Sequence, residues 1–220
     1  MLSLGQEFIE FAIRHNILRF GEFKTKAGRL SPYFFNAGLF CEGATLRELA
    51  KFYAKALAAA DFSFDMLFGP AYKGIPLATA LACTLAEKGH NVPFSFNRKE
   101  QKRHGEGGSI IGAPIQGRVL IIDDVISAGT SLRESIGLIQ AQGGKASGLI
   151  VALDRMEKGL GELSAAQEVN QSYGLPVLAI ATLEDLMAYL STDSAMAYNL
   201  HKIRQYKEQY GAKALTQPNA

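Results

Sequence analysis

The sequence feature that most constrains the fold is a regular alternation of short apolar runs with helical stretches from Asp65 onward. The apolar runs lie at residues 65–69, 92–96, 118–122, 146–153 and 176–181. Residues 75–88 and 132–142, between the runs, have helical spacing. Several runs are apolar at consecutive positions rather than at alternate ones, as in strands that helices cover on both faces. The pattern therefore predicts an α/β fold with a doubly wound, mainly parallel sheet and flanking helices.

The chain before this alternation is predicted to form a small N-terminal hood. Residues 2–15 carry apolar side chains at helical spacing, which indicates an amphipathic helix. A second helix is predicted from Thr45 to about residue 60, because Thr45 and Glu48 form the Ser/Thr-x-x-Glu pattern of a capping box. Residues 191–210 are expected to form a surface helix. We predict one domain over residues 1–210, with the hood at about 1–60, the core at about 61–190 and a loose tail at 211–220.

The composition excludes several classes of function. The 220 residues include 23 Lys and Arg against 21 Asp and Glu, and the net charge of +2 excludes a histone-like polycation. Cys41 and Cys83 are far apart and belong to no Cys-x-x-Cys or Cys/His cluster, which argues against a disulfide framework or a structural zinc site. A reducing, cytoplasmic setting fits this pattern. No membrane role is indicated, because the longest largely apolar stretch, residues 75–86, is too short to cross a bilayer.

Residues 119–131 (VLIIDDVISAGTS) contain the most informative polar groups of the chain. In parallel sheets ligands bind outside the carboxyl ends of the strands, and here a buried strand leads into two adjacent carboxylates and a small-residue turn. The carboxylates can accept hydrogen bonds from a diol such as ribose. Backbone amides, hydroxyl groups and the start of a helix in the turn suit a phosphate monoester. The alternative is purely structural: Asp123 ends the strand, and Thr130 or Ser131 caps the next helix, with Glu134 closing a capping box.

Residues 98–108 (RKEQKRHGEGG) are predicted to form a surface loop. Four basic side chains face two acidic ones, the run contains no apolar residue, and its glycines favour mobility. A solvated excursion or a nucleic-acid contact would also explain the charge. The run has no aromatic side chain for base stacking, which argues against nucleic acid. Because the loop follows a strand end, we predict a lid that closes over a polyanion and excludes water.

The stretch at 119–131 resembles the signature of the type I phosphoribosyltransferases, which use 5-phosphoribosyl-1-pyrophosphate (PRPP) as ribose donor. Together with residues 98–108, the motifs at 33–36 (YFFN) and 68–76 (FGPAYKGIP) make the chain similar to the orotate phosphoribosyltransferases. The specific motifs lie between Lys26 and Arg155. Ser127 stands where this family more often has Thr, but either residue supplies a hydroxyl group.

This resemblance implies a reaction, a fold and partners. A member of the family transfers the ribose 5-phosphate group from PRPP to orotate, giving orotidine 5-monophosphate and pyrophosphate in pyrimidine biosynthesis. The implied fold is that of the type I phosphoribosyltransferases, in a homodimer with shared active sites and no nucleic-acid or membrane partner. Mg²⁺ is expected to bind mainly through PRPP and pyrophosphate, with no protein residue assigned as a metal ligand.

The resemblance also assigns residues to the site, and it names Lys102 and Asp124 as catalytic. An unusual cis peptide is often found near the position of Tyr72 in this family. The expected orotate contacts are Phe34, Phe35, Ser127 and Arg155. The expected PRPP contacts are Lys26, Tyr72, Lys73, Arg98, Lys99, Lys102, His104, Asp123, Asp124, Val125, Ile126, Ser127, Ala128, Gly129, Thr130 and Ser131.

Each of these assignments has a structural alternative. Lys73 can be a solvent-facing residue before a helix, and Phe34 and Phe35 can be strand core. Alternation puts the two Phe rings on opposite faces, so at most one can stack on a flat base. Arg155 suits the carboxylate of orotate, because a guanidinium fork matches two carboxylate oxygens, but it can equally form a surface salt bridge with Asp154 or Glu157. Two functional rivals remain: a phosphoribosyltransferase for another base, and a PRPP-binding regulator whose basic loop contacts nucleic acid.

Overall fold

A six-stranded sheet lies at the centre of the structure, with helices on both faces and a separate two-stranded hairpin. The structure is a computed structural model that describes residues 1–25, 27–60, 62–102, 108–126, 130–159 and 161–212. The strands are β1 (Leu18–Lys24), β2 (Leu30–Phe35), β3 (Met66–Gly69), β4 (Phe94–Lys102), β5 (Gly108–Gly112), β6 (Arg118–Val125), β7 (Lys145–Asp154) and β8 (Val177–Thr182). The helices are α1 (Leu4–Arg14), α2 (Gly43–Ala59), α3 (Gly74–Glu87), α4 (Thr130–Ala141), α5 (Ala165–Tyr173), α6 (Leu183–Leu190) and α7 (Ala197–Tyr210).

The strand order confirms the predicted doubly wound sheet. The order is β5-β4-β3-β6-β7-β8, and all neighbours pair in parallel except β5, which is antiparallel to β4. The chain adds β4 on one side of β3 and then returns to add β6 on the other side. The direction of winding therefore reverses between β3 and β6, which is where ligands bind in sheets of this kind.

Burial on both faces explains the consecutive apolar positions of the central strands. In β6, Leu120 and Ile122 belong to one apolar cluster, whereas Val119 and Ile121 belong to another on the opposite face. The second cluster contains residues of α4 and α5. The first cluster extends through α1, α2, α3, α6 and α7. Each side chain of the strand thus packs against helix side chains instead of contacting water, whichever face of the sheet it points to.

The N-terminal segment folds against the first cluster, as the apolar spacing predicts. Helix α1 starts at Ser3, whose side chain forms a capping box with Gln6. The predicted capping box at Thr45 is wrong, because α2 begins at Gly43 and Thr45 already lies inside the helix. Its hydroxyl donates to the carbonyl of Glu42 at 3.0 Å. A threonine inside a helix can return its hydroxyl to a preceding carbonyl, so the motif did not mark the start.

Two further predictions need correction. The predicted loop at 98–108 begins as strand, because β4 continues to Lys102 and β5 resumes antiparallel to it at Gly108. Lys102 pairs with Gly108, although the register of β4 and β5 is irregular between Asn97 and Lys102. The C-terminal helix is more than a surface helix, since α7 buries Leu200, Ile203 and Tyr206. In the described part of the chain, no helix is long and apolar enough to cross a membrane.

Candidate active site

The loops that follow β3 and β6 meet at the point where the winding of the sheet reverses. There Lys73 Nζ donates to Asp124 Oδ2 at 2.6 Å. The two side chains differ in environment, because Lys73 is 58% exposed and Asp124 is 9% exposed. The ammonium group therefore lies at the rim of the site and the carboxylate at its base. The alternative prediction of a solvent-facing Lys73 accounts for the exposure of this side chain. It does not account for the contact with Asp124.

Close backbone packing shapes the loop between β3 and α3. A Cβ atom added to Gly69 would lie 2.1 Å from the carbonyl oxygen of Gly74, so only glycine fits this approach. The peptide bond between Ala71 and Tyr72 is cis, at the place where the resemblance anticipates one. Asn97, near the middle of β4, accepts a hydrogen bond from the Ala71 N–H at 2.8 Å. Two neighbouring strands thus hold the loop that carries Lys73.

Asp123 lies beside Asp124 and is only partly exposed. Burial, together with the negative charge of Asp124, raises the pKa of Asp123 from 3.8 to about 7. Its Oδ1 accepts a hydrogen bond from the Asp124 N–H at 2.9 Å. The buried Tyr53 of α2 donates its hydroxyl hydrogen to the Asp123 carbonyl at 2.8 Å. The hood therefore fixes the backbone that presents both carboxylates.

Two cationic side chains of β4 complete this edge. Lys99 Nζ lies 5.1 Å from the centre of the exposed Tyr72 ring, which brings β4 beside the loop after β3. Arg98 Nη1 is buried and, within the described residues, has no hydrogen-bond partner. A buried guanidinium hydrogen without an acceptor costs free energy that an anionic ligand can recover. The edge thus combines two carboxylates with Lys73 and Lys99, and Arg98 precedes Lys99 on the same strand.

Arg155 follows the carboxyl end of β7 and lies against the hood. Its Nε donates to Glu157 Oε1 at 2.7 Å, and its Nη2 lies 2.6 Å from the same oxygen and donates to Ser31 Oγ at 2.9 Å. The guanidinium group lies 4.2 Å from the centre of the Tyr33 ring. The salt bridge with Glu157 is the contact that the structural alternative names, but it is a largely buried one and not a surface pair.

The adjacent residues Phe34 and Phe35 point to opposite faces of β2, as alternation predicts. Phe35 is buried against Phe8, with ring centres 6.1 Å apart. Phe34 is 39% exposed and stacks on Phe23, with ring centres 5.4 Å apart. Ser31 and Tyr33, which contact Arg155, share the buried face with Phe35. Arg155 therefore contacts the face of β2 opposite to Phe34.

Several predicted site residues fall outside what the structure describes. Only backbone positions are described for Lys102, in β4, and for Thr130 and Ser131, at the start of α4. Val125 ends β6 beside Leu153 of β7, and Ile126 follows it. Among the described residues no three His, Cys, Asp or Glu side chains gather as a metal site. The predicted residues outside the described ranges are Lys26, His104, Ser127, Ala128 and Gly129.

Sequence reasoning assigned no role to three of the residues that support the site, and it named Glu157 only as a surface partner of Arg155. Ser31 and Glu157 hold Arg155, Asn97 holds the loop after β3, and Tyr53 holds Asp123. Asn97 carried a usable signal, because it is a polar residue directly before the cationic run at the end of a predicted strand. Tyr53 carried none, since its spacing in α2 is that of an ordinary core residue.

Comparison with known proteins identifies the family. The family model described as the phosphoribosyl transferase domain matches residues 42–175. The orotate phosphoribosyltransferase of Laribacter hongkongensis is 61% identical over 97% of this chain and 100% of its own length. That of Neisseria meningitidis serogroup C is 60% identical, with the same coverage. A crystal structure of orotate phosphoribosyltransferase from Francisella tularensis has a TM-score of 0.84 and 41% identity, covering 94% of this chain and 100% of its own.

The matched residues 42–175 contain the acidic pair at the end of β6, the cationic side chains opposite it and Arg155. The agreement in sequence extends over nearly the whole chain, and the agreement in structure covers both the sheet and the hood. From these matches and the arrangement of the site, we conclude that the chain belongs to the orotate phosphoribosyltransferases, within the phosphoribosyltransferase family.

Proposed function

We propose that the edge between β3 and β6 is where this enzyme transfers the ribose 5-phosphate group of PRPP to orotate, giving orotidine 5-monophosphate and pyrophosphate. The observation that carries the proposal is the contact between Lys73 and Asp124 at the reversal point of the sheet. It puts an acidic pair suited to a ribose diol next to a cation suited to pyrophosphate.

The reaction makes a particular demand on the protein. The anomeric carbon of the ribose gains oxocarbenium-like positive charge as its bond to pyrophosphate breaks and the orotate nitrogen attacks. The protein needs to position the reactants, exclude water and neutralise the leaving group, and it needs no nucleophile of its own. Lys73, Arg98 and Lys99 are the described cations at this edge, and we assign them to pyrophosphate. Asp123 and Asp124 are assigned to the ribose 2- and 3-hydroxyls.

The remaining PRPP contacts are proposed from the family. Residues 125–131 run from the end of β6 into α4, where backbone amides and hydroxyls suit the 5-phosphate. Lys26, Lys102 and His104 are assigned to PRPP or pyrophosphate. Lys102 is the proposed source of electrostatic or proton assistance to the departing pyrophosphate, and its place near the end of β4 supports this role. A Lys102→Ala enzyme that kept full turnover would contradict the assignment.

The orotate site is proposed at Phe34, Phe35, Ser127 and Arg155. Arg155 lies against the β2 strand that carries both Phe residues, since it contacts Ser31 and Tyr33 of that strand. A guanidinium group suits the carboxylate that distinguishes orotate from uracil. Phe34 lies on the face of β2 opposite to the one that Arg155 contacts. Its ring can therefore contact orotate only if the base lies at the edge of the strand.

The residues at this edge suit Mg²⁺ as a partner of the substrate. Asp123 and Asp124 are hard oxygen ligands of the kind that Mg²⁺ accepts, and they would hold the ion or its waters. Bound Mg²⁺ would neutralise part of the charge of pyrophosphate. Asp124 already pairs with Lys73, which leaves the acidic pair with less charge than a protein-only metal site needs. We therefore propose that PRPP supplies most of the ligands.

Three further properties are proposed. We infer a single domain over residues 1–210, because one apolar cluster joins Phe8 of α1, Leu81 of α3 and Ile203 of α7. A homodimer with shared active sites follows from the family. A cytoplasmic setting is supported by two exposed cysteines that form no disulfide.

The experiment that tests the function measures loss of orotate in the presence of purified protein, PRPP and Mg²⁺. Uracil, hypoxanthine and adenine are run beside it under the same conditions. We expect PRPP-dependent loss of orotate alone. Consumption of another base instead would leave the PRPP site in place and overturn the orotate pocket. If no base were consumed and RNA or DNA bound with a steep salt dependence, the regulator would replace the enzyme.

Shared sites are tested by mixing two inactive variants. A Lys102→Ala chain and an Asp124→Asn chain should regain activity after subunit exchange if each site takes the hairpin from the partner chain. Mass spectrometry of isotope-labelled chains confirms that exchange has occurred. Exchange without recovery of activity would contradict a shared site.

A further inference from the structure

A cluster of three charged side chains lies behind Arg155, where the end of β7 meets the hood. Glu157 lies between two arginines. Its Oε1 accepts a hydrogen bond from Arg155 Nε and lies 2.6 Å from Nη2, and its Oε2 lies 3.7 Å from Arg29 Nη1. All three side chains are largely buried, with exposures of 19% for Arg155, 16% for Glu157 and 20% for Arg29. The carboxylate is therefore shared by two cations that little water reaches.

Arg29 anchors this carboxylate from the other side. Its Nη1 donates to the Lys158 carbonyl at 2.9 Å, and its Nη2 donates to the Gly159 carbonyl at 3.3 Å. The guanidinium group also lies 5.0 Å from the centre of the Tyr210 ring at the end of α7. These contacts fix Arg29 to the segment that follows Arg155, so Glu157 cannot turn away from Arg155 without leaving Arg29 unpaired.

Hydrogen bonds account for two of the five N–H hydrogens of Arg155. Nε donates its hydrogen to Glu157, and Nη2 donates one to Ser31 while it lies 2.6 Å from Glu157 Oε1 in the ion pair. Nη1 carries two more hydrogens and makes no hydrogen bond among the residues that the structure describes, although the Tyr206 hydroxyl interacts with both Arg155 and Glu157. The Tyr33 ring lies at 4.2 Å from the guanidinium carbon and restricts its tilt. Glu157 and Ser31 thus hold one edge of the guanidinium group and Tyr33 covers one of its faces. Nη1 is the nitrogen that these contacts do not use.

We propose that Glu157 is a positioning residue that holds Arg155 by its Nε and Nη2 edge and reserves Nη1 for the carboxylate of orotate. The inference rests on the proposed function, because it needs orotate as the substrate. The sequence predicts that two nitrogen atoms of Arg155 bind the two carboxylate oxygens of orotate. Here Nη2 already contacts Glu157 and Ser31, so only Nη1 is assigned to the carboxylate. The selectivity for a carboxylated base then depends on a residue that does not itself touch the base.

The test compares the two ways in which Glu157 can be altered. Leu in its place is similar in size but offers no acceptor, and we expect Glu157→Leu to raise the KM for orotate about tenfold, with the KM for PRPP changed by less than about twofold. Gln keeps a carbonyl oxygen that can accept the Arg155 Nε hydrogen bond. We therefore expect Glu157→Gln to stay within about threefold of the wild-type KM for orotate.

A matched control and a double variant separate positioning from general damage. Glu162 forms an exposed ion pair with Lys158 in the same segment, and Glu162→Gln should leave both KM values unchanged. If Glu157 acts through Arg155, the Arg155→Leu, Glu157→Leu double variant should have the same KM for orotate as Arg155→Leu alone. Additive effects in the double variant would overturn the inference.

Other outcomes are equally decisive. An unchanged KM for orotate in Glu157→Leu, equal rises in both KM values, or no rescue by Gln would overturn the positioning role. If Glu157→Leu does not fold, Ser31→Ala takes its place, since it removes the hydrogen-bond acceptor of Nη2. We expect that variant to raise the KM for orotate about threefold, and no change would count against the inference.

Failure of the proposed function gives a different result. A wild-type enzyme that consumes no orotate overturns the proposed function and the inference with it. A wild-type enzyme that consumes orotate while Arg155→Leu leaves its KM unchanged overturns the place of Arg155 in the orotate site. Only variants of Glu157 and Ser31 that behave as wild type in an otherwise confirmed site overturn the inference alone.

Discussion

Two ion pairs at the carboxyl edge of the sheet have the same chemistry and different surroundings. In the pair between Lys73 and Asp124, the cation is mostly exposed and reaches a buried carboxylate. In the pair between Arg155 and Glu157, both side chains are largely buried and the carboxylate is shared with Arg29. Water can replace the first contact at small cost, whereas nothing replaces the second. The comparison suggests that the contact between Lys73 and Asp124 opens when substrate binds, whereas the contact between Arg155 and Glu157 forms part of the folded structure.

The physical reason for the difference is desolvation. In the first pair the ammonium group of Lys73 is mostly in water whether or not it is paired, so its contact with the buried Asp124 contributes less to stability than a fully buried pair. Removing one partner of a buried pair leaves an uncompensated charge, which costs several times more. Substitutions in the pair of Lys73 and Asp124 should therefore mainly lower activity, whereas substitutions in the pair of Arg155 and Glu157 should mainly lower stability.

The largest effect is expected in activity from Asp124→Asn. The amide keeps the shape of the carboxylate but removes the charge that a ribose diol and Lys73 both use, and we expect kcat/KM for PRPP to fall about a thousandfold. Steady-state kinetics at saturating orotate measures it. The matched control is Asp65→Asn, because Asp65 pairs with Arg118 at 2.8 Å just before β3, at the opposite edge of the sheet. A similar loss in both variants would contradict the site.

A large effect on stability is expected from Glu157→Leu. The substitution leaves Arg155 and Arg29 close together and without their carboxylate, and we expect the free energy of unfolding to fall by about 3 kcal/mol. Urea denaturation followed by circular dichroism measures this change. Glu162→Gln serves as the control and should change stability by less than about 0.5 kcal/mol. If Glu157→Leu were as stable as wild type, the buried cluster would contribute no more to the free energy of unfolding than a surface ion pair does.

An effect on the pH dependence of stability is expected from Asp123→Asn. The pKa of Asp123 is raised on folding from 3.8 to about 7, so the folded protein holds this proton more tightly than the unfolded chain. Its contribution is fully present below about pH 4 and is lost as the pH rises toward 7. We expect the variant to gain about 3 kcal/mol relative to wild type between pH 4.5 and pH 8. Urea denaturation across this range measures the difference, and a constant difference would contradict the raised pKa.

The smallest effect is expected in stability from Lys73→Gln. Because the ammonium group is mostly in water, we expect the free energy of unfolding to change by less than about 1 kcal/mol. The KM for PRPP should nevertheless rise about tenfold, since a cation suited to pyrophosphate is lost. Thermal unfolding and PRPP titration of the same sample measure both quantities. A large loss of stability would show that the pair of Lys73 and Asp124 stabilises the fold as much as the pair of Arg155 and Glu157, which would contradict the comparison.

Much of the fold could be predicted because it depends on local pattern. Continuous apolar runs such as residues 119–122 predicted buried parallel strands, and the sheet confirms them. Boundaries were less certain where several residue types suit two roles. Thr45 fitted a capping box in sequence but lies inside α2, while the caps of α5 at Ser164 and of α6 at Thr182 were not identified. The extension of β4 to Lys102 depends on pairing with β5, which no local pattern of charged residues reveals.

By itself the sequence determined which chemical groups follow which strands: two carboxylates after β6, a glycine-lined turn with Lys73 after β3, and an arginine after β7. These are properties of neighbouring residues, and they already indicate the family. Only the tertiary structure decided that Lys73 reaches Asp124 across 51 positions, and that Glu157 and Ser31 share Arg155. Such contacts depend on strand order and on burial, and both arise when the whole chain packs around one sheet.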